Sequence, residues 1–284
     1  MVRVGDSCID PTPLTPEQEA ISAAKTSAAN AYDAELRGTG SQESTTAADK
    51  VVAELTGAPV PPPERNKIAR ENGTDPGYSP LGSVTGYWPL RQVNSYYCGP
   101  ASIDSMLWYF GDIVNSQYLT SATYDTVTGA YDQITGTDAT DQTLLANFFW
   151  LATDYYGGTN WGTQYMPFTL NGWRGDSWYI QAAGPYLGGA LTQSQYLVDV
   201  QYDVDRGYPL TQNVRYNSSS FIPDGFAPGD YEHWDTVYGH FYSGAQYVQV
   251  GQVYASPNYT FYPYQNIELS RQWNAIAIHH GIVW

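Results

Sequence analysis

The hydrophobic positions of the chain change their period several times, and each change marks an element. Thr15 is a candidate helix cap, Pro16 suits a first turn, and Gln18 stands at the capping-box position. The spacing predicts an Ala-rich helix to about Leu36, ended by Gly38. Residues 38–45 are polar and read as a loop. A second helix is predicted from about Thr46 to Leu55, closed by Gly57. Pro59 and Pro61-Pro62-Pro63 then stiffen the chain, and Glu64 to Asn72 has room for another turn or two of helix. Ile21, Tyr32, Leu36, Val51, Val52 and Leu55 are too few for a core of their own. Residues 1–81 are therefore read as a helical, Pro-rich arm or pro-segment that docks on the rest or stays partly disordered.

Residues 82–284 carry the main domain in this reading. Ala101, Ile103, Met106, Leu107 and Phe110 follow the i, i+3, i+4, i+7 spacing of a buried helix face. A polar stretch, rich in Tyr and Thr, covers 112–137. Asp138 to Tyr156 is predicted as a helix, with Leu144, Leu145, Phe148, Phe149, Leu151 and Ala152 on one side. Gly157 to about Tyr186 reads as an aromatic loop, either a cleft wall or packing. A helix from Thr192 to about Asp205 turns Leu197, Val200 and Val204 inward, and Gly207 ends it. A strand over about 209–215 and a loop over 216–230 follow.

Tyr231 to Tyr242 and Ala245 to Tyr254 alternate as two strands around Ser243-Gly244, a two-residue hairpin turn. That turn pairs Tyr242 with Ala245 and sets Tyr254 opposite His233. A last strand is predicted over 274–283, with His279 and His280 as structural residues. The class is α+β, with helices packed on an antiparallel sheet.

Charge narrows the functions. The 284 residues hold 12 basic and 28 acidic side chains, a net charge of −16. Nucleic acid is an unexpected partner, because phosphates need a basic footprint. A peptide or protein substrate, above all a basic one, is compatible. No run approaches the length of a membrane span, and no signal peptide is visible. The Tyr-, Trp-, Gly-, Thr- and Asn-rich texture beyond Gly82 is common in secreted bacterial proteins, and a secreted protein is expected. No zinc-ligand spacing and no phosphate-cradling glycine motif occurs, so no cofactor is expected. Cys8 and Cys98 cannot make a disulfide framework. Cys8 is read as free, as a link between two chains, or as a partner of Cys98.

Cys98 is the candidate for chemistry. Gly99 and Pro100 follow it and the helical pattern begins there, which puts the sulfur at a helix N-terminus. Free N–H groups and the positive dipole end favour a thiolate at that place. Gln92 stands six residues upstream. The blander reading is a small buried Cys capping a core helix.

The string Gln92…Tyr97-Cys98-Gly99-Pro100-Ala101-Ser102 resembles the papain-like cysteine peptidases of the bacteriocin-processing (double-glycine leader) type, in particular their stand-alone relatives. The resemblance implies a papain-like fold, a Cys–His site with a Gln oxyanion hole, and hydrolysis of a peptide amide. It also implies a His at the start of a strand, ahead of an apolar run and a Gly-aromatic pair. His233 and Gly239 fit those places, so His233 is the implied general base. His240 is the competitor, and strand alternation predicts that it points to the opposite face.

The chain departs from that pattern at the third residue. The family has an Asp or Asn on the partner strand; here Gln252 and Ser256 stand there, and Asp235 shares the face of His233. The missing acid and the aromatic loops leave two other readings open. One is a non-catalytic peptide- or glycan-binding module on the same scaffold. The other is an acyltransferase of transglutaminase type, with an amine in place of water.

Overall fold

The computed structural model describes residues 16–57, 60–63, 82–92, 98–109, 178–279 and 281–284. The helix predicted over 138–156, the turn over 64–72, the polar stretch 112–137, Cys8 and His280 lie outside them. The described residues form helices packed on an antiparallel sheet, the expected α+β class.

The elements in chain order are α1 (Pro16–Leu36), α2 (Gln42–Thr56), β1 (Gly82–Ser83), α3 (Cys98–Tyr109), β2 (Gln181–Ala183), α4 (Gln193–Val204), β3 (Leu210–Tyr216), β4 (Tyr231–Tyr242), β5 (Gln246–Gly251), β6 (Tyr264–Glu268), α5 (Leu269–Ala277) and β7 (Gly281–Val283). The strands lie in the order β2-β7-β3-β4-β5-β6, and β1 pairs with β4. β1 meets β4 at Gly239 and His240, beyond the point where β3 begins at Leu210 opposite Val237.

The long strand β4 differs from its sequence reading in two ways that cancel. The turn has three residues, so Tyr242 pairs with Gln246 rather than Ala245. A bulge between Val237 and Gly239 then takes up the extra residue. Val237 pairs with Val250, and the register beyond it is the one a two-residue turn would have set. The bulge also overturns the alternation expected for the two histidines. Cross-strand partners share a face, and His240 pairs with Val248 while Val237 pairs with Val250. Val248 and Val250 are two residues apart, so His240 falls on the same face as Val237, Asp235 and His233.

The C-terminal strand is a second correction. Only Gly281–Val283 is strand; Leu269–Ala277 is helix. Leu269, Gln272, Ala275 and Ile276 are its buried residues, a helical spacing. The Ala-Ile alternation from Ala275 to Ile278 imitates a strand, but a helix buries Ile276 on the face of Gln272 and Leu269, one turn and two turns back. The short strands β1, β2 and β6 were also not expected from the pattern. Helix α2 starts at Gln42, earlier than Thr46, because the Ser41 hydroxyl caps it by accepting from Ser44 N. Gly57 closes it at φ 66°.

Helices α1 and α2 add Ala28, Ala29, Tyr32 and Val52 to the core, and buried charge ties them to the end of α4. Lys25 on α1 pairs with Asp203 and donates to the Trp178 carbonyl at 3.0 Å. Its ammonium lies over the rings of Trp178 and Trp284 at 4.4 and 4.5 Å. Tyr32 donates to Asp205 at 2.6 Å. Asp49 on α2 takes Arg206 Nη2 at 2.9 Å and the Tyr202 hydroxyl at 2.8 Å. The few large apolar residues of these helices are thus supplemented by polar anchors on one short stretch, 202–206.

Candidate active site

The segment that leads to Cys98 is held from two sides. Leu90 N donates to the Ser105 hydroxyl on α3 at 2.9 Å, and that hydroxyl donates to Ala101 O at 2.7 Å. Gln92 N donates to Val253 O at 2.6 Å, just past the end of β5. Gln92 is thereby buried against the chain that leaves the sheet after Gly251. Cys98 opens α3, is a free thiol and is half-buried. The backbone of Trp234 lies close to its sulfur, as does that of Gly99. Trp234 is the neighbour of His233 on β4.

His233 is buried in an aromatic surround. Its ring lies 5.5 Å from Phe226, and 6.2 Å from both Tyr216 and Tyr254. The three sequence-predicted residues therefore border one short piece of the sheet. Cys98 meets Trp234, His233 is next to it, and Gln92 meets Val253 beside Tyr254.

The electrostatics correct one expectation. Burial pushes the Cys98 thiol up to about 11, against the opposing pull of the nearby backbone amides. Burial also pushes His233 down to about 3, with Gln252 pulling the other way. The resting site holds a neutral thiol and a neutral imidazole, not the thiolate that a helix N-terminus alone would favour. Loss of water around both groups outweighs the dipole.

The three candidates for the third position separate by their hydrogen bonds. Ser256 is engaged elsewhere: its hydroxyl accepts from Ala227 N at 2.9 Å and lies 3.3 Å from the Tyr231 hydroxyl. Asp235 is fully buried and takes Gln212 Nε2 at 2.6 Å, Gln252 Nε2 at 2.9 Å and the Tyr216 hydroxyl. Burial raises it to about 7, against those three donors. Asp235, one of the three candidates to orient the imidazole, is thus occupied by other donors. Gln252 stands beside His233, although His233 Nε2 completes no hydrogen bond of ordinary geometry among the described residues.

His240 has a different partner. Its Nε2 lies 2.8 Å from Asp205 Oδ1, and the Tyr32 hydroxyl holds the other oxygen. Gly82 passes so close that a Cβ there would meet Asp205 Oδ1 at 2.0 Å and His240 Nε2 at 2.3 Å. His240 shares the face of His233 but serves the docking of α1, seven residues along the strand, roughly 23 Å away.

Sequence reasoning missed Tyr216 and Gln212, which complete the buried network behind His233. Their alternation with Val214 on a strand was the available signal. It also missed an exposed ring pair near the segment of Gln92: Trp88 and Tyr264 meet edge to face at 6.0 Å. Among the described residues, no group of His, Cys, Asp or Glu is arranged to hold a metal ion, and no helix is long and apolar enough to cross a membrane. The chain matches no family model and no curated protein.

Proposed function

We propose that the protein is a cysteine peptidase of papain-like type that cleaves a peptide amide at Cys98. The observation that supports the reading is the placement of a half-buried thiol at the start of α3 against the backbone of Trp234, the residue that follows His233 on β4. Gln92, clamped on Val253, supplies the amide that the resemblance assigns to the oxyanion.

In this reading the Cys98 sulfur attacks the carbonyl carbon while its proton passes to His233. The neutral resting pair suits transfer during attack rather than before it. The tetrahedral oxyanion rests on the Gln92 amide and the Cys98 N–H. Its collapse breaks the C–N bond, and the leaving amine takes the proton from His233. Water, giving a proton to His233, then cleaves the thioester; the acid leaves and the thiol is restored. Gln252 is the residue that orients the imidazole.

The raised thiol and lowered imidazole favour a second reading, a non-catalytic peptide-binding module on the same scaffold. One experiment separates the two. Peptide-library turnover is measured for the parent and Cys98→Ser. Turnover by the parent that Cys98→Ser abolishes, with the fold retained, supports the peptidase. Peptide binding by both proteins without turnover by either supports the module.

A further inference from the structure

We infer that Asp235 is a positioning residue for His233 and acts through the carboxamide of Gln252. The consequence for turnover rests on the peptidase reading; the geometry does not.

Asp235 has no exposed surface, and a buried carboxylate is costly unless its lone pairs are met by donors. Gln212 Nε2 meets Oδ1 at 2.6 Å. Gln212 is itself fixed, because its Oε1 accepts from the Tyr196 hydroxyl at 2.7 Å. The Tyr216 hydroxyl gives its one hydrogen to Oδ2. That oxygen can then only accept, and Gln252 Nε2 and Gln272 Nε2 each approach it at 3.2 Å. Gln252 Nε2 also donates to Asp235 Oδ2 at 2.9 Å. The nitrogen of Gln252 therefore faces two acceptors, a carboxylate and a phenol oxygen whose hydrogen is already used.

An amide has little intrinsic preference between its two flipped orientations. The charge at position 235 supplies one. With Nε2 held by Asp235 and Tyr216, Oε1 is turned away from them, and it accepts no hydrogen bond of ordinary geometry among the described residues. The His233 ring lies 6.2 Å from the ring of Tyr216, whose hydroxyl Gln252 Nε2 approaches at 3.2 Å, so His233 is the titratable ring beside this carboxamide. An acceptor next to an imidazole selects the tautomer that has a proton on the nearer nitrogen. The farther nitrogen is then left with its lone pair, which is what a general base for Cys98 requires. A flipped Gln252 would donate to the ring instead. It would select the other tautomer and leave the farther nitrogen protonated.

The test is the ¹⁵N spectrum of the His233 imidazole in the full chain at pH 8, with the signal assigned by its loss in His233→Phe. The parent is expected to show one neutral tautomer. Asp235→Asn is expected to show a mixture, and Gln252→Ala likewise. Asp235→Asn added to Gln252→Ala is expected to change nothing further, because the path through the amide is already gone. A single tautomer retained in folded Asp235→Asn overturns the inference. So does an Asp235→Asn effect that persists undiminished in the Gln252→Ala background. Should Asp235→Asn fail to fold, Gln252→Ala decides by itself, and an unchanged tautomer there overturns the inference. None of these readouts needs turnover. An inactive protein with the expected tautomers loses the peptidase and keeps the relay. An active one without them keeps the peptidase and loses the relay.

Discussion

Lys25 Nζ lies 3.3 Å from Asp203 Oδ1, and neither side chain has any exposed surface. The pair joins α1 to α4 in a place where water cannot share the charge. Removing one partner leaves the other buried and uncompensated, which typically costs about 3–5 kcal/mol. Lys25→Met is therefore expected to lower stability by that order in urea unfolding. Lys25→Met with Asp203→Leu is expected to recover most of it. A double variant as unstable as the single one would remove the pair as the cause.

The same pair has a pH signature. Burial holds Lys25 at about 8, below its ordinary 10.5, so unfolding takes up a proton between those values and stability rises with pH across that window. Burial holds Asp203 at about 6, above its ordinary 3.8, so unfolding releases a proton between those values and stability rises as pH falls. The pair thus contributes least between about pH 6 and 8. Each slope is at most about 1.4 kcal/mol per pH unit. Other buried groups, Asp235 and Cys98 among them, add slopes of their own, so the contribution of the pair is read as the parent minus the double variant: that difference across pH 4–10.5 should show both slopes.

Cys98 should alkylate slowly at neutral pH. Its thiol lies at about 11, so the iodoacetamide rate in the resting protein is expected to climb through the alkaline range. His233→Ala should leave that profile in place, because the resting imidazole is neutral and adds no charge beside the sulfur. A rate already level by pH 7 in the parent would show a preformed thiolate.

On the peptidase reading, Gln92→Ala should lower kcat by roughly 10²–10³ with little change in KM, because the amide would act on the transition state. Gln92 is anchored by its backbone N–H to Val253, which the substitution keeps. A change confined to KM would move Gln92 to ground-state binding.

His240→Ala and Gly82→Ala should weaken the fold and spare the chemistry. The first leaves Asp205 with Tyr32 alone, a loss of about 1–3 kcal/mol. The second drives a methyl group into the His240–Asp205 contact. Both are expected to lower Tm while the pH dependence of Cys98 alkylation stays that of the parent. A shifted alkylation profile in His240→Ala would make it part of the site.

The helix at Cys98, the long His233 strand and the α4 helix were legible because each has a period, a cap or a breaker in the sequence. The register of the hairpin was half legible. Ser243-Gly244 reads as a two-residue turn, and nothing local in Val237-Tyr238-Gly239 announces a bulge; pairing with β5 reveals it. The α5 helix was hidden because Ala-Ile-Ala-Ile fits both periods, and only its packing chooses. The network at Asp235 was hidden for a different reason. Gln212 and Tyr216 share a face of β3, but Gln252 follows β5 and Gln272 lies on α5, and no spacing along the chain relates those three places to one another or to Asp235.

The bulge in β4 separates two lengths of chain that would otherwise move together. In an uninterrupted hairpin, adding or deleting one turn residue slides every pair and turns each side chain to the wrong face. Here the Tyr242↔Gln246 end and the Thr236↔Gly251 end already differ by one step, and the irregularity at Val237 and Gly239 absorbs it. A change in loop length at 243–245 can therefore be taken up by erasing or widening that irregularity, with His233 and Gln252 left in place. The tip of the hairpin is free to drift by insertion and deletion over generations while the end that carries His233 keeps its alignment.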